Sequence, residues 1–545
     1  MQINHRSPQD RRWLPESIVR KGRFARRLCE LESSPMHVWS QASTLGCSMV
    51  LHALLVAVLL PLPQLALSQA RVTDPEDAHI HRVEAGLLPI AATRDKLGSH
   101  ETIGERLRAY GVAGLSVAVI DEGRIAWAKG YGVADTTTGQ AVTPETLFQA
   151  GSISKPIAAL GALLLVERGK LDLDGDVNRY LRKWKIPTNA FTAAHPVTLR
   201  TLLDHSAALT DLAFENYEPG RPLPALSDVL QSHWSAIRVE SEPGRQYSYS
   251  GTGYVVLQQL MMDTSGQPFD TFMTSQVLRP LGMTRSTYAN PIPTSLQQSA
   301  AMGHYSGGER IPGGYRVGPE SAVGGLWTTP SDIARYIIEV QEWYADSRRG
   351  LISPRMTQQM LSPQIGYAGL GVVLSGSGED LRFGHDGFNE GFECAMVGYV
   401  RAGRGAVVTA NSGFSYMLIK EVLGSIARVY EWPHYDSTNQ WPPSAAIRQQ
   451  EIARVPNEVT AQAVGHYSLD ANTSVRVFAK DQRLFIHWPR SGNAEIFQTP
   501  DERLFCPQLT FSELGNPFLR LRAAKRGAPG ELLGADDQVV MQAVK

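Results

Sequence analysis

Phe148-Gln-Ala-Gly-Ser-Ile-Ser-Lys-Pro-Ile157, running on through an apolar stretch to Glu167-Arg168-Gly169, decides how the chain is read. From Pro156 to Val166 nearly every residue is Ala, Leu, Ile, Val or Gly. A helix apolar on all sides has no face to give to water and belongs inside a protein. Gly169 supplies the left-handed residue that ends it. Ser152 and Lys155, three residues apart at its start, share one face. Burying an ammonium beside a hydroxyl costs several kcal/mol unless it is compensated or used. Burial favours a neutral amine, which can take a proton from a hydroxyl. The helix N-terminus adds N–H groups that favour a developing oxyanion. Ser-x-x-Lys alone is a weak pattern, in which the serine is merely an N-cap and the lysine snorkels to the surface. The buried setting and the downstream sequence make it a nucleophile with its base.

Outward from this helix, Leu115–Ile120 and Ile125–Tyr131 read as two strands joined by a Glu122-Gly123 turn. Residues 71–110 read as a lead-in helix. Thr198 caps a short helix ending near His205, and His205 reads as a structural hydrogen-bonder. A second apolar helix is expected over 251–283, and a third after Gly324-Gly-Leu-Trp-Thr-Thr-Pro-Ser-Asp332, with Ser331 or Asp332 near its cap. Leu370–Leu374, Arg382–His385, Glu393–Val400 and Ala406–Asn411 read as successive antiparallel strands, closed by a helix over Tyr416–Tyr430. From Val464 the texture changes to short strands with turns at Lys480-Asp-Gln and Ser491-Gly-Asn, which predicts a meander or small barrel. Asp174 and Asp176 read as a surface turn rather than a calcium loop, and His79-Ile-His81 as surface.

At 545 residues the chain exceeds what one compact core holds. The reading gives an N-terminal extension with a signal peptide over 1–70, a hydrolase domain over 71–432, a linker over 433–457 and a small β domain over 458–545. With 52 basic and 53 acidic residues there is no electrostatic case for nucleic acid. Cys394 and Cys506 read as free and buried, while Cys29 and Cys47 precede the expected mature start. Met49 to Leu60 is too short to span a bilayer and suits a signal-peptide core, with Ser68-Gln-Ala70 as the cleavage site. Export to the periplasm or beyond is expected, with membrane anchoring through residues 49–60 as the alternative if the signal stays uncut.

Three further elements join Ser152 and Lys155. Tyr249, in Pro243-Gly-Arg-Gln-Tyr-Ser-Tyr-Ser-Gly251, places a phenol among small residues before a helix, where it can relay a proton. Phe383-Gly-His-Asp-Gly387 lies at a strand edge where glycines admit a substrate backbone, and the N–H of Phe388 can complete an oxyanion hole with that of Ser152. Gly324-Gly325 suits a wall of the cleft.

Ser152-Ile-Ser-Lys155, Tyr249-Ser-Gly251 and His385-Asp-Gly387, in that order, resemble the three motifs of the serine β-lactamase and penicillin-binding-protein superfamily. The nearest branch is the class C-like group of D-alanyl-D-alanine carboxypeptidases, D-aminopeptidases and family VIII esterases. Thr198–Ser206, Pro280-Leu-Gly-Met283 and Gly324–Thr329 resemble its framework segments, and the match covers roughly residues 105–430. The resemblance implies an α/β (α+β) fold of the β-lactamase/transpeptidase type, an antiparallel sheet flanked by helices with an all-helical lobe. The C-terminal β module resembles the lipocalin-like extensions of some relatives. Acyl transfer is implied, with Ser152 as nucleophile, Lys155 and Tyr249 handling the proton and water resolving the acyl-enzyme. No metal or organic cofactor is implied, and the partner is a small-molecule or peptide substrate.

Two departures bear on substrate. Gly251 stands where the second motif usually has an Asn that touches the substrate amide, and Asn389 is a candidate to replace it. His385 stands where β-lactamases carry a lysine, and a neutral imidazole holds a substrate carboxylate less well than a permanent charge. Gly251, His385, Gly387 and Asn389 are therefore the candidate substrate-binding positions. The leading expectation is a serine hydrolase acting on an amide or ester, including D-amino-acid peptides. A carboxylesterase, a weak β-lactamase and a catalytically silent cell-wall peptide binder are the alternatives.

Overall fold

The computed structural model describes residues 75–544 except 213–214, 233–235, 436–448, 469–473, 512–517, 523–530 and 534–538. The expected signal core and anchor at residues 49–60, Cys29 and Cys47 lie outside the described residues.

The lead-in is two helices rather than one, α1 (Pro75–Glu84) and α2 (Ile103–Tyr110). Thr102 forms a capping box with Glu105 at the start of α2, and Gly111 in left-handed geometry ends it. Strands β1 (Gly114–Asp121) and β2 (Arg124–Asp135) are joined by Glu122 and Gly123, both at positive φ, the turn that matches strand twist. A short β3 (Gln140–Ala141) follows, then α3 (Ser154–Glu167), α4 (Gly251–Ser265) and α5 (Pro330–Tyr344). Strands β4 (Val373–Ser375), β5 (Arg382–Asn389), β6 (Phe392–Tyr399) and β7 (Gly405–Ala410) complete the sheet before α6 (Tyr416–Val429). The seven strands run in the order β3-β2-β1-β7-β6-β5-β4, with β1 and β7 paired in the middle.

Alternation along β1 sends its residues to two cores. Leu115, Val117 and Val119 pack with Met417, Ile419 and Val422 of α6. Ala118 and Ile120 face the other way, into the core that holds α3, α4 and α5. That second core is where the organising helix lies. Residues Ile157 to Leu163 of α3 are buried on every side, as their uniform apolarity requires.

Two expectations fail at helix ends. The 251–283 helix stops at Ser265, because Gly266 takes φ +70 and donates its N–H back to Met262, and a new short helix starts at Phe269. The cap of α5 is Thr329, whose side chain accepts from the Asp332 N–H, with Pro330 in the first turn where its missing N–H costs nothing.

The C-terminal strands are β8 (Gly465–Ser468), β9 (Ser474–Lys480), β10 (Arg483–Trp488), β11 (Gly492–Gln498), β12 (Leu504–Phe505), β13 (Phe518–Arg522), β14 (Glu531–Leu533) and β15 (Val539–Val544). Each pairs antiparallel with the next, and β8 also pairs with β15, so the meander closes into an eight-stranded ring around Tyr467, Ile486 and Leu504. The segment read as linker is already structured from Gln450. Gln450–Glu451 pair in parallel with Ala91–Ala92, and Ala453–Arg454 add to β11.

Candidate active site

The approach to Ser152 is fixed by backbone pairing. Phe148–Gln149 pair with Trp327–Thr328, and the Ala150 N–H donates to the Leu326 carbonyl at 2.8 Å. Gly151 then takes φ +50 and opens a 3-10 turn, Gly151–Ile153, that feeds α3. A Cβ on Gly151 would lie 2.4 Å from the Phe388 nitrogen, and one on Gly387 2.0 Å from the Ala150 carbonyl oxygen. Only glycine lets β5 come this close, and the backbone of Phe388 is thereby set against the residue preceding Ser152.

The two serines of the first motif divide their work. Ser154 is structural: its Oγ accepts from the Leu326 N–H at 3.0 Å and its carbonyl from the Tyr288 hydroxyl at 2.7 Å. Ser152 Oγ instead accepts from Lys155 Nζ at 2.8 Å and from the Tyr249 hydroxyl at 3.0 Å. Lys155 is 1 % exposed and also donates to the Val323 carbonyl at 3.0 Å. Its Nζ lies 5.1 Å and 5.8 Å from the ring centres of Tyr249 and Tyr254. Aromatic faces and a carbonyl thus offset part of the desolvation of a buried amine. Ser152, Lys155 and Tyr249 meet as the motifs suggested. Tyr247, the other candidate phenol, turns away to pack on Tyr367 and His205.

Tyr249 is held by His205. The His205 carbonyl accepts from the Ser248 N–H at 2.7 Å, and its Nδ1 accepts from the Ser250 N–H at 3.1 Å. Between these two anchors the rings of His205 and Tyr249 stack, 4.4 Å apart and tilted by 28°. His205 adopts φ +58 to do this. Burial, then the Lys155 charge and His385, push the His205 imidazole well below its ordinary value, so it accepts as a neutral ring. Its structural reading is correct, but the residue it positions was not legible. Removing only the phenol oxygen should leave this stack intact. We expect Tyr249→Phe to fold like the wild type and to lose about 10²–10⁴-fold in kcat/KM. A loss smaller than threefold would mean that Tyr249 carries no proton.

Gly251 opens α4, and its N–H donates to Asp211 Oδ1 at 2.7 Å, as does that of Thr252 at 3.2 Å. No sequence signal pointed to Asp211, which caps the helix from 40 residues away. Asn389, the candidate to replace the missing motif Asn, is already hydrogen-bonded within the protein. Its Nδ2 donates to Gln149 Oε1 and to the Gly324 carbonyl, both at 3.0 Å, so its amide hydrogens tie β5 to the neighbouring loop.

His385 is buried, with its ring 6.2 Å from that of Tyr249. Nδ1 lies 2.6 Å from the Asp386 carbonyl. The Asp386 carboxylate points to the opposite face of the sheet, where it accepts from the Tyr416 hydroxyl at 2.5 Å and pairs with Lys420 at 3.5 Å. Burial, then the nearby Lys155, push His385 down to about 4. A histidine lowered in the folded state contributes stability that is complete above its unfolded value near 6.5 and is lost as pH falls toward 4. An NMR titration of its Cε1 proton should give a midpoint near 4. A midpoint near 6.5 would show the ring to be solvated or paired with an anion.

Cys394 and Cys506 are free and buried, and Cys394 Sγ donates to the Ala150 carbonyl at 2.9 Å. Asp174 pairs with Arg200 at 2.6 Å and Asp176 caps a 3-10 turn, as a surface-turn reading requires. Among the described residues no cluster of His, Cys, Asp or Glu could hold a metal ion.

The family model described as Beta-lactamase matches residues 100–422. Penicillin-binding protein 4* of Bacillus subtilis (strain 168) is 24% identical over 442 residues, covering 75% of this chain and 90% of that protein. The octameric penicillin-binding protein homologue from Pyrococcus abyssi aligns with a TM-score of 0.54 at 20% identity, over 81% of this chain and 98% of that one. The D-amino acid amidase from Ochrobactrum anthropi SV3, solved with L-phenylalanine amide, gives 0.51 at 21% identity, over 65% and 99%. These structural likenesses speak for the fold, which is of the β-lactamase/transpeptidase type. The family match takes in more than half of the chain and every residue gathered around Ser152 Oγ, and the chain belongs to the beta-lactamase family, whose members are serine hydrolases of amide and ester bonds.

Proposed function

We propose that the protein is an exported serine hydrolase that forms an acyl-enzyme on Ser152, with D-amino-acid peptides as its leading substrate class. The observation that carries the reading is one oxygen, Ser152 Oγ, accepting from both Lys155 Nζ and the Tyr249 hydroxyl at the start of a buried helix. Two donors on that oxygen lower the cost of alkoxide character as it attacks a carbonyl. Lys155 and Tyr249 handle the hydroxyl proton between them and pass it to the departing amine or alkoxide. The carbonyl oxygen turns toward the backbone N–H groups of Ser152 and Phe388. Water then enters, gives its proton back through the same pair, and releases the acid with Ser152 restored.

The D-amino-acid direction is supported by the likeness to penicillin-binding proteins and a D-amino acid amidase. His385 in place of a lysine and Gly251 in place of an asparagine speak against a specialised β-lactamase. Export rests on the apolar stretch at 49–60 and the small residues Ser68 and Ala70. Treating the mature chain with a fluorophosphonate probe and recording its intact mass tests the reading. One adduct, absent in Ser152→Ala, is expected. A folded wild type that stays unlabelled would replace hydrolysis with a binding role.

A further inference from the structure

A cavity of about 260 Å³ is lined by Val323, Gly324, Phe388 and Asn389, of which Gly324 and Phe388 pack against Gly151, the residue before Ser152. Its charged lining is Arg316, Glu320, Glu390 and Arg490. Arg316 and Glu390 neutralise each other in a half-buried pair at 2.8 Å, and Glu390 also accepts from the Tyr305 hydroxyl at 3.0 Å. Burial, reinforced by Glu215, pushes the Glu320 carboxyl up to about 7, so its charge is weak at neutral pH. Arg490 makes no hydrogen bond or ion pair among the described residues. Among the described residues it is the cavity's unmatched cation, on an exposed residue.

Arg490 comes from the C-terminal ring, not from the hydrolase sheet. It occupies a left-handed position, φ +71, in the turn between β10 and β11. That turn is clamped rather than loose. The Ser306 N–H donates to the Ser491 carbonyl at 2.9 Å, and a Cβ on Gly492 would lie 2.7 Å from the Ser306 nitrogen. A Cβ on Gly413 would lie 2.5 Å from the Ser491 carbonyl oxygen. Two segments of the hydrolase domain therefore fix the turn that places Arg490 in the cavity wall.

The relatives' motif lysine is absent here, and His385 is buried beside Lys155 and offers no permanent charge. We infer that Arg490 of the C-terminal ring binds a free carboxylate on the substrate, which makes this turn the specificity element for anionic amides or esters. The inference rests on Ser152 being the nucleophile. A guanidinium matches a carboxylate with two parallel N–H donors, and losing such a charge-assisted contact costs about 10–100-fold in affinity.

The test compares the wild type with Arg490→Gln, which keeps the turn length and the side-chain stem, on two 4-nitrophenyl esters, the butyrate and the mono-ester of succinate. Arg490→Gln should raise KM for the succinate ester at least tenfold with kcat preserved, and leave the butyrate ester within twofold. Equal changes on both esters, or none on either, would overturn the inference. A second arm does not depend on turnover. Ser152→Ala protein, with and without Arg490→Gln, is titrated calorimetrically with N-acetyl-D-alanine and with its carboxamide. Saturable binding of the acid alone, lost with Arg490→Gln, is expected, and absence of such binding would overturn the inference. Ester hydrolysis that survives in Ser152→Ala would instead sink the nucleophile assignment and leave the calorimetry to decide the role of Arg490.

Discussion

Ser152→Ala should abolish fluorophosphonate labelling and lower aryl-ester turnover by about 10⁴–10⁶-fold, while the protein melts within a few degrees of the wild type. The kinetic loss is large because every later step requires the bond that Oγ forms. Lys155 and Tyr249 have no role without it, so their effects do not add to this one. The small structural cost follows from the contacts. Lys155 keeps its donation to the Val323 carbonyl, and the Tyr249 ring stays stacked on His205. Ser154, which does hold the helix in place, is untouched. Turnover of a Ser152→Ala preparation above about one part in a thousand of wild type, with contamination excluded by mass, would place the nucleophile elsewhere.

Lys155→Met is the second large effect, and its signature is a split between activity and stability. We expect about 10³-fold or greater loss in kcat/KM and a melting temperature equal to or above that of the wild type. Methionine fills the lysine's volume and removes an amine held at 1 % exposure, whose desolvation is only partly offset. Against this stand two lost donations, to Val323 and to Ser152 Oγ, each worth about 1 kcal/mol, while Ser152 Oγ keeps the Tyr249 hydroxyl as a donor. A variant that unfolds would mark Lys155 as a structural strut. One that retains labelling at the wild-type rate would remove it from proton transfer.

The residues that meet at Ser152 Oγ were legible because their signals are local. Ser152 and Lys155 are one helical turn apart, and Tyr249 lies among small residues just before a helix. Both sit inside apolar or turn-forming sequence whose structure is strongly constrained. What the sequence concealed are contacts that topology makes. His205 and Tyr249 are 44 positions apart and stack only because His205 adopts a positive φ. Asp211 reaches α4 from an irregular segment that carries no periodic signal. Asn389 read as a candidate substrate contact, and nothing in β5 announces that Gln149 and Gly324 will lie against its amide nitrogen. Strands β8, β12 and β14 are too short to display alternation, so closure of the ring was expected only as one option. The helix expected to run to 283 failed for a simpler reason: Asp263-Thr-Ser-Gly-Gln-Pro268 places a left-handed Gly266 and then a proline in its middle, both visible in the sequence.

The pairing of β5 with β6 matches His385 to Met396 and Asp386 to Ala395. Side chains alternate across a strand, so a slip of one residue in this hairpin would exchange their faces. Asp386 would leave Tyr416 and Lys420 and enter the cleft beside Lys155. An anion would then stand where the neutral ring is, drawing the lysine's proton tighter and repelling any acidic substrate. The electrical sign of the cleft is in this sense a counting problem, solved by the two residues that turn the chain between Asn389 and Phe392.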